Sequence, residues 1–300
     1  MRLPVLAGID GSAGAAAAAD WAAREALLRG VALRLCHALP QFPGAEVPGA
    51  EVPGPAQERL RALGTQVLQQ AVDDLTERHP GLAVDGRVAG EAPADALLDA
   101  ARDAGLLVVG ARGAGGFEGL AVGSVALRTA AAAPCPVVLV PDRPGTFAER
   151  TPAVRGTGQV VLGFDAHRPA GEAAGFAFPA AEARAARLRV VQAWALPAES
   201  VSSRTLVVTE EDRATWEDQE VLGLSDALRP WREKYPGVTV ATDLMLLHPA
   251  EALVNASRAA DLLVVGRRTG ARTAEGRLGP VTHAVLHHAR CPVAVVPHSG

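Results

Sequence analysis

The residues best placed to do chemistry lie between Val108 and Ser124, in the stretch VVGARGAGGFEGLAVGS. Gly110 ends an apolar run, Gly113, Gly115 and Gly116 follow, and Gly123-Ser124 precedes an alanine-rich segment. Glycines here let backbone approach a ligand closely, and Gly113 can take φ > 0 and aim successive N–H groups at an anion. A helix starting at Ser124 would add free N–H groups, its dipole and a hydroxyl donor, the elements of a phosphate cradle. The same glycines also suit a plain strand-to-helix turn, and glycine content alone does not separate the two.

This is not a Walker loop, which needs Lys beside Ser or Thr. The only lysine, Lys234, lies in REKYPG, outside the motif. A kinase strand lysine and a Schiff-base enzyme are disfavoured on the same ground. Asp10, in GIDGS, is either a hydrogen-bond acceptor for ribose or base, or a helix cap beside Ser12. Arg112 either pairs with phosphate or is solvated.

The chain says nearly everything twice. PVLAGIDGS at 4–12 returns as QVVLGFDAH at 159–167, and LLVVGARG at 106–113 returns as LLVVGRRT at 262–269. LRLCHALP at 33–40 answers LRVVQAWALP at 188–197, and CPVVLVP at 135–141 answers CPVAVVP at 291–297. A repeat of this length is a duplicated domain rather than a solenoid unit. We therefore expect a first domain over 1–142, a Pro/Gly-rich linker over 143–157, and a second domain over 158–300.

Within each copy, short apolar runs alternate with long Ala/Arg/Leu/Glu segments. Val5 to Ile9, Leu33 to His37 and Leu106 to Val109 read as buried parallel strands. The segment after Ser12 reads as a helix capped by Ser12 and stopped by Gly30. Such alternation predicts an α/β fold: two tandem, doubly wound open parallel sheets, with ligands at the carboxyl ends of the strands. A composition that is 49% hydrophobic but only 4% aromatic implies cores of Ala, Val and Leu. A net charge of −4 leaves no electrostatic footprint for nucleic acid. No run is long and apolar enough for a membrane span, and no leader is recognisable, so a cytoplasmic protein is expected.

The spacing Gly110-x₂-Gly113-x₉-Gly123-Ser124 resembles the nucleotide motif of the ATP-binding branch of the universal stress protein family. Both halves carry the family's order: a strand-end Asp, His-Ala or Ala-Trp after the second strand, the glycine loop, then Cys-Pro-Val. The resemblance implies an ATP site at Gly8, Asp10, Ala38, Gly110, Ala111, Arg112, Gly113, Gly115, Gly116, Gly123, Ser124 and Val125, with Mg²⁺ on the phosphates. The matching positions of the second copy are Gly163, Asp165, Gly266 and Gly279. That copy departs from the motif at Thr269 and Pro280, which implies a weakened site, although Gly270 and four nearby arginines offer partial compensation.

The resemblance further implies a nucleotide-dependent regulator of stress or dormancy responses with an unknown protein partner. An internal pseudo-dimer through the last strand of each domain is expected, with a homodimer as a further possibility. No catalytic base or nucleophile stands out; slow ATP hydrolysis and a purely protein-binding module are the alternatives. His283 and His287 share a helix face but lack an evident third ligand, and are read as a solvated or half-buried face, so no metal site is assigned. Cys36, Cys135 and Cys291 form no CxxC pair. The duplicated GAEVPGAEVPGP at 44–55 is a lid over the nucleotide mouth or an inert loop.

Overall fold

The computed structural model describes residues 2–39, 54–114, 121–141, 158–194, 210–269 and 277–299. The predicted linker and most of the duplicated GAEVPG segment lie outside them, as do Gly115 and Gly116. The chain divides into two compact units.

The first unit runs β1 (Val5–Ile9), α1 (Ala13–Arg29), β2 (Leu33–Ala38), α2 (Gly54–Arg78) and β3 (Val84–Ala89). It continues with α3 (Pro93–Ala100), β4 (Leu106–Gly110), α4 (Ser124–Ala132) and β5 (Val137–Val140). Its strands lie in the order β3-β2-β1-β4-β5, and every pair is parallel. Strand order therefore reverses between β1 and β4. Right-handed crossovers then place α1 and α2 on one face and α3 and α4 on the other. The contacts between α1 and α2, and between α3 and α4, agree with that division.

Local sequence explains α1 well. The Ser12 hydroxyl accepts from Ala15 N at 3.1 Å, and Gly30 ends the helix in the left-handed region at φ 64°. Its buried face is Gly14, Ala15, Ala18, Ala19, Ala22, Ala23 and Ala26, together with Glu25. Such small residues let the helix backbone sit close on the sheet. At Gly110 a Cβ would come within 2.9 Å of Gly14 backbone atoms. The sheet buries Leu33, Leu35 and Leu106 completely on the α1 face and Leu6 and Leu107 completely on the opposite face. Fully burying one such side chain contributes about 1.5–3 kcal/mol.

The second unit repeats the plan with β6 (Gln159–Gly163), α5 (Gly171–Ala183), β7 (Arg187–Ala193), α6 (Glu210–Lys234) and β8 (Val240–Met245). α7 (Pro249–Ala256), β9 (Leu262–Arg268), α8 (Pro280–His288) and β10 (Val293–His298) complete it. Its order is β10-β9-β6-β7-β8, again all parallel. Its core differs in using aromatics: fully buried Phe178 of α5 stacks on Trp231 and Tyr235 of α6, with centroids 5.8 and 5.7 Å away.

Candidate functional site

In the first unit the ends of β1 and β4 lie side by side at the reversal of strand order, where open α/β sheets bind ligands. β1 runs into Asp10. Gly11, at φ +81°, turns the chain at once into α1, a conformation that disfavours any residue with a Cβ. The Asp10 carboxylate is held at both oxygens. Oδ1 accepts from Ser12 N at 2.9 Å, and Oδ2 accepts from Ala114 N at 2.8 Å, 104 residues away. Asp10 thus clamps the glycine loop to the start of α1. The capping role read from the sequence is present in Oδ1, while Oδ2 takes a backbone N–H of the glycine loop, a tie the sequence did not reveal. The loop is also closed at its base: Ala111 N donates to Val140 O at 2.8 Å, and Gly123 N to Ala111 O at 2.7 Å.

The glycines of this mouth differ in why they lack a side chain. A Cβ at Gly8 would lie 3.1 Å from both methyls of Leu97, which α3 packs onto β1. Gly110 makes room for the backbone of α1, as described above. A Cβ at Gly113 would fall on the Asp10 carboxylate. The positive φ open to Gly113 is not adopted: among the described residues only Gly11, Gly30 and Gly81 are glycines with positive φ. Gly113 is glycine because the clamp crowds it, not because its backbone is left-handed.

Gly123 is different. It precedes α4 with φ −80° and ψ 161°, which any residue can adopt. A Cβ there would meet only Ala111 O at 3.6 Å and Arg112 Cα at 4.0 Å, ordinary contact distances. Packing of the described residues gives no reason for glycine at this position. Beside it, α4 opens with exposed Ser124 and no acidic side chain in its first turn. The helix's N-terminal partial positive charge is therefore uncompensated by its own residues. Ala111 is buried, and Ala38, Arg112 and Val125 are half-buried around this mouth.

The second mouth keeps the backbone plan and changes the ties. Gly163 again makes room for a leucine, Leu253, with a Cβ falling 2.9 Å from it. Gly279 precedes α8 at φ −64°, with open space where a Cβ would go. At Gly266 a Cβ would press on the His298 ring, 2.9 Å away. Thr269 N and Oγ1 both donate to His298 O, at 2.7 and 2.9 Å. Asp165 turns to its own loop: Oδ1 accepts from His167 N at 3.0 Å and Oδ2 from Arg168 Nε at 3.2 Å.

A clasp that the sequence did not reveal lies across this second mouth. Gln192 of β7, only 2% exposed, accepts from Ala166 N at 3.0 Å and donates to Glu220 of α6 at 2.5 Å. His167 Nε2 meets the same carboxylate at 2.9 Å. The Glu220 hydrogen bond and charge raise the His167 pKa above its ordinary value. α2 and α6 are equal in length and related by the repeat. The residue of α2 that matches Glu220 is Gly64, where a Cβ would lie 3.0 Å from the buried His37 ring. His37 Nδ1 lies 3.0 Å from Ile9 O instead of reaching across the mouth. The glycine-to-glutamate change between copies is the sequence signal that could have located the clasp.

Among the described residues no group of three or more His, Cys, Asp and Glu side chains is arranged to hold a metal. No helix among the described residues is long and apolar enough to cross a membrane. All three cysteines are buried as free thiols. A cavity of about 500 Å³ between α6 and β8 is lined by Glu217, Leu224, Arg232 and Asp243 among others. It is not at the glycine motif, and its Asp243 is already paired with Arg189.

Comparison with known proteins agrees with this architecture. The Universal stress protein family profile matches residues 1–141 and again residues 157–297. Universal stress protein Rv2623 of Mycobacterium tuberculosis is 30% identical over 305 residues, spanning 99% of this chain and 97% of that protein. Universal stress protein Rv2005c of the same organism is 30% identical over 302 residues, spanning 98% and 97%. Among solved structures, a universal stress protein from Archaeoglobus fulgidus covers 98% of each chain with a TM-score of 0.67 at 15% identity, a likeness of fold. With two matched domains spanning its length, the chain belongs to the universal stress protein family.

Proposed function

We propose that the first domain binds ATP, its phosphates lying between the glycine loop and the N-terminus of α4. The observation that carries this reading is Gly123. It is a glycine that neither its backbone conformation nor the packing of the described residues requires, at a spot where a Cβ would stand between phosphate oxygens and the free N–H groups of α4. The Asp10–Ala114 clamp supports the reading, because it holds the loop ready before any ligand arrives. Mg²⁺ prefers oxygen ligands and retains waters, so it fits here on the phosphates, with the exposed Ser124 hydroxyl as a protein oxygen within the same mouth.

In this proposal the second domain is the weaker site. Pro280 replaces a hydroxyl and an N–H donor, Asp165 is satisfied within its own loop, and the Gln192–Glu220–His167 clasp lies across the mouth. The protein then acts as a cytoplasmic, nucleotide-dependent regulator of a stress or dormancy response through a protein partner, not as a dedicated enzyme.

Mass spectrometry of nucleotide released from freshly purified, denatured protein is the direct test. Retained ATP at about one per chain supports the reading. A chain that purifies empty and gives no heat with ATP and Mg²⁺ overturns it in favour of a protein-interaction module. Steady phosphate release points instead to a slow hydrolase on the same fold.

A further inference from the structure

The last helix of the second unit carries chemistry that its counterpart lacks. α8 places His283, His287 and His288 where the repeat gives α4 Leu127, Ala131 and Ala132. His283 and His287 are four residues apart, so their side chains share one helix face. Their ring centroids are 4.6 Å apart, with planes inclined by 48°.

That separation is compatible with one metal ion shared by the two rings. An imidazole nitrogen sits about 2.0–2.1 Å from a bound late transition metal, which puts the ring centre about 3.2 Å from the ion. Two rings meeting at angles of about 90–110° at the ion then have centroids about 4.5–5.2 Å apart. A second, independent observation points the same way. His287 Nε2 is shut off from solvent and makes no hydrogen bond, an arrangement that is costly unless a partner fills it. The neighbouring His283 is exposed.

We propose that His283 and His287 form a two-imidazole chelate for one divalent late transition metal ion of the Ni²⁺, Cu²⁺ or Zn²⁺ class, its remaining positions filled by water. The ligand type selects this class: imidazole suits these ions, whereas Mg²⁺ requires oxygen donors. The site is therefore separate from any Mg²⁺ carried by a nucleotide, and it does not depend on the nucleotide reading. Placement near the carboxyl end of α8 adds the negative end of the helix dipole. His288, whose ring centroid is 6.4 Å from that of His287, lies outside the chelate.

The test is titration of Ni²⁺ into the untagged full-length chain by isothermal calorimetry, with H283Q, H287Q and the double variant alongside. One ion per chain is expected, with affinity reduced at least about tenfold in either single variant, since even removing groups that merely orient ligands costs that much. Excess Mg²⁺ should leave the isotherm unchanged. Because His283 is exposed, H283Q retains the fold, and far-ultraviolet circular dichroism verifies this for each variant. Two results overturn the proposal: no binding by the natural chain at about 1 mM Ni²⁺, or a double variant that binds Ni²⁺ as tightly as the natural chain.

Discussion

Gly123→Ala separates a ligand-binding glycine from a structural one. The backbone at this position suits alanine, and among the described residues the added Cβ meets nothing closer than 3.6 Å. Alanine reduces the entropy of the unfolded chain, worth about 0.4–1 kcal/mol in favour of the fold. It is also a poorer helix N-cap than glycine, a loss that offsets much of this gain. The net change in stability should stay within about 0.5 kcal/mol, or about 2 °C in melting temperature for a domain of this size. Binding should respond differently. If the Cβ costs the phosphates one charge-assisted hydrogen bond, affinity falls by about 1.5–3 kcal/mol, roughly ten- to a hundredfold at about 1.4 kcal/mol per decade.

Gly113→Ala is the matched control. Its Cβ falls on the Asp10 carboxylate and disrupts the clamp to Ala114. That variant should lose stability as well as affinity, by about 1–3 kcal/mol for the orphaned polar group. Thermal melts without nucleotide, beside calorimetric titration with ATP and Mg²⁺, read both quantities. A folded Gly123→Ala protein with unchanged ATP affinity would refute the phosphate-cradle argument. An unfolded one would show that packing requires this glycine after all.

Saturating ATP at about 100 times its dissociation constant should add about 2.7 kcal/mol of stability, seen as a melting shift of several degrees; no shift in protein verified free of nucleotide counts against the site. Asp10→Ala should weaken ATP binding far more than Asp165→Ala, because among the described residues Asp10 alone ties its loop across the mouth; a larger loss from Asp165→Ala, or two equal sites by titration, reverses the assignment. The raised pKa of His167 means that the Glu220 contact stabilises the second unit fully below the unfolded histidine value, about 6.5, and that this contribution is lost as pH rises through the raised folded value. Nuclear magnetic resonance titration should find that Glu220→Gln lowers the His167 pKa, and an unchanged value would mean that the contact is absent in solution.

How much of this was legible in the sequence depended on how local the cause was. α1 announced itself because Ser12 and Gly30 act on their own helix. The central strands were legible because burial on both faces makes them continuously apolar. The edge strands were not. β3 is largely exposed and carries Asp85 and Arg87, while β8 pairs its Asp243 with Arg189 of β7. A strand with one flank in water has no apolar run to recognise. The role of Gly113 was not legible because a glycine reports that a Cβ is excluded without reporting whether a dihedral angle or a neighbour excludes it. The clasp was hidden for another reason. His167, Gln192 and Glu220 span 53 residues and meet only because β6 pairs with β7 and α6 packs above them.

The two copies also show how one backbone plan carries two different sites. Both strand-end aspartates hold the backbone N–H two residues on, Asp10 at 2.9 Å and Asp165 at 3.0 Å. The turn into the first helix therefore needs one carboxylate oxygen in each copy. What distinguishes them is the second oxygen. In the first unit it reaches Ala114, at the near end of the glycine loop. In the second it takes Arg168, and the mouth is crossed by side chains from β7 and α6. A fixed loop costs a ligand little ordering entropy, whereas a clasped mouth must first exchange its own hydrogen bonds for the ligand's. The proposed asymmetry of binding would then rest on that one oxygen and that one clasp as much as on the loss of Ser to Pro280. Restoring serine alone, in Pro280→Ser, should therefore recover only part of the affinity of the first site. Full recovery requires Glu220→Gly as well, which returns α6 to the glycine that α2 carries at Gly64.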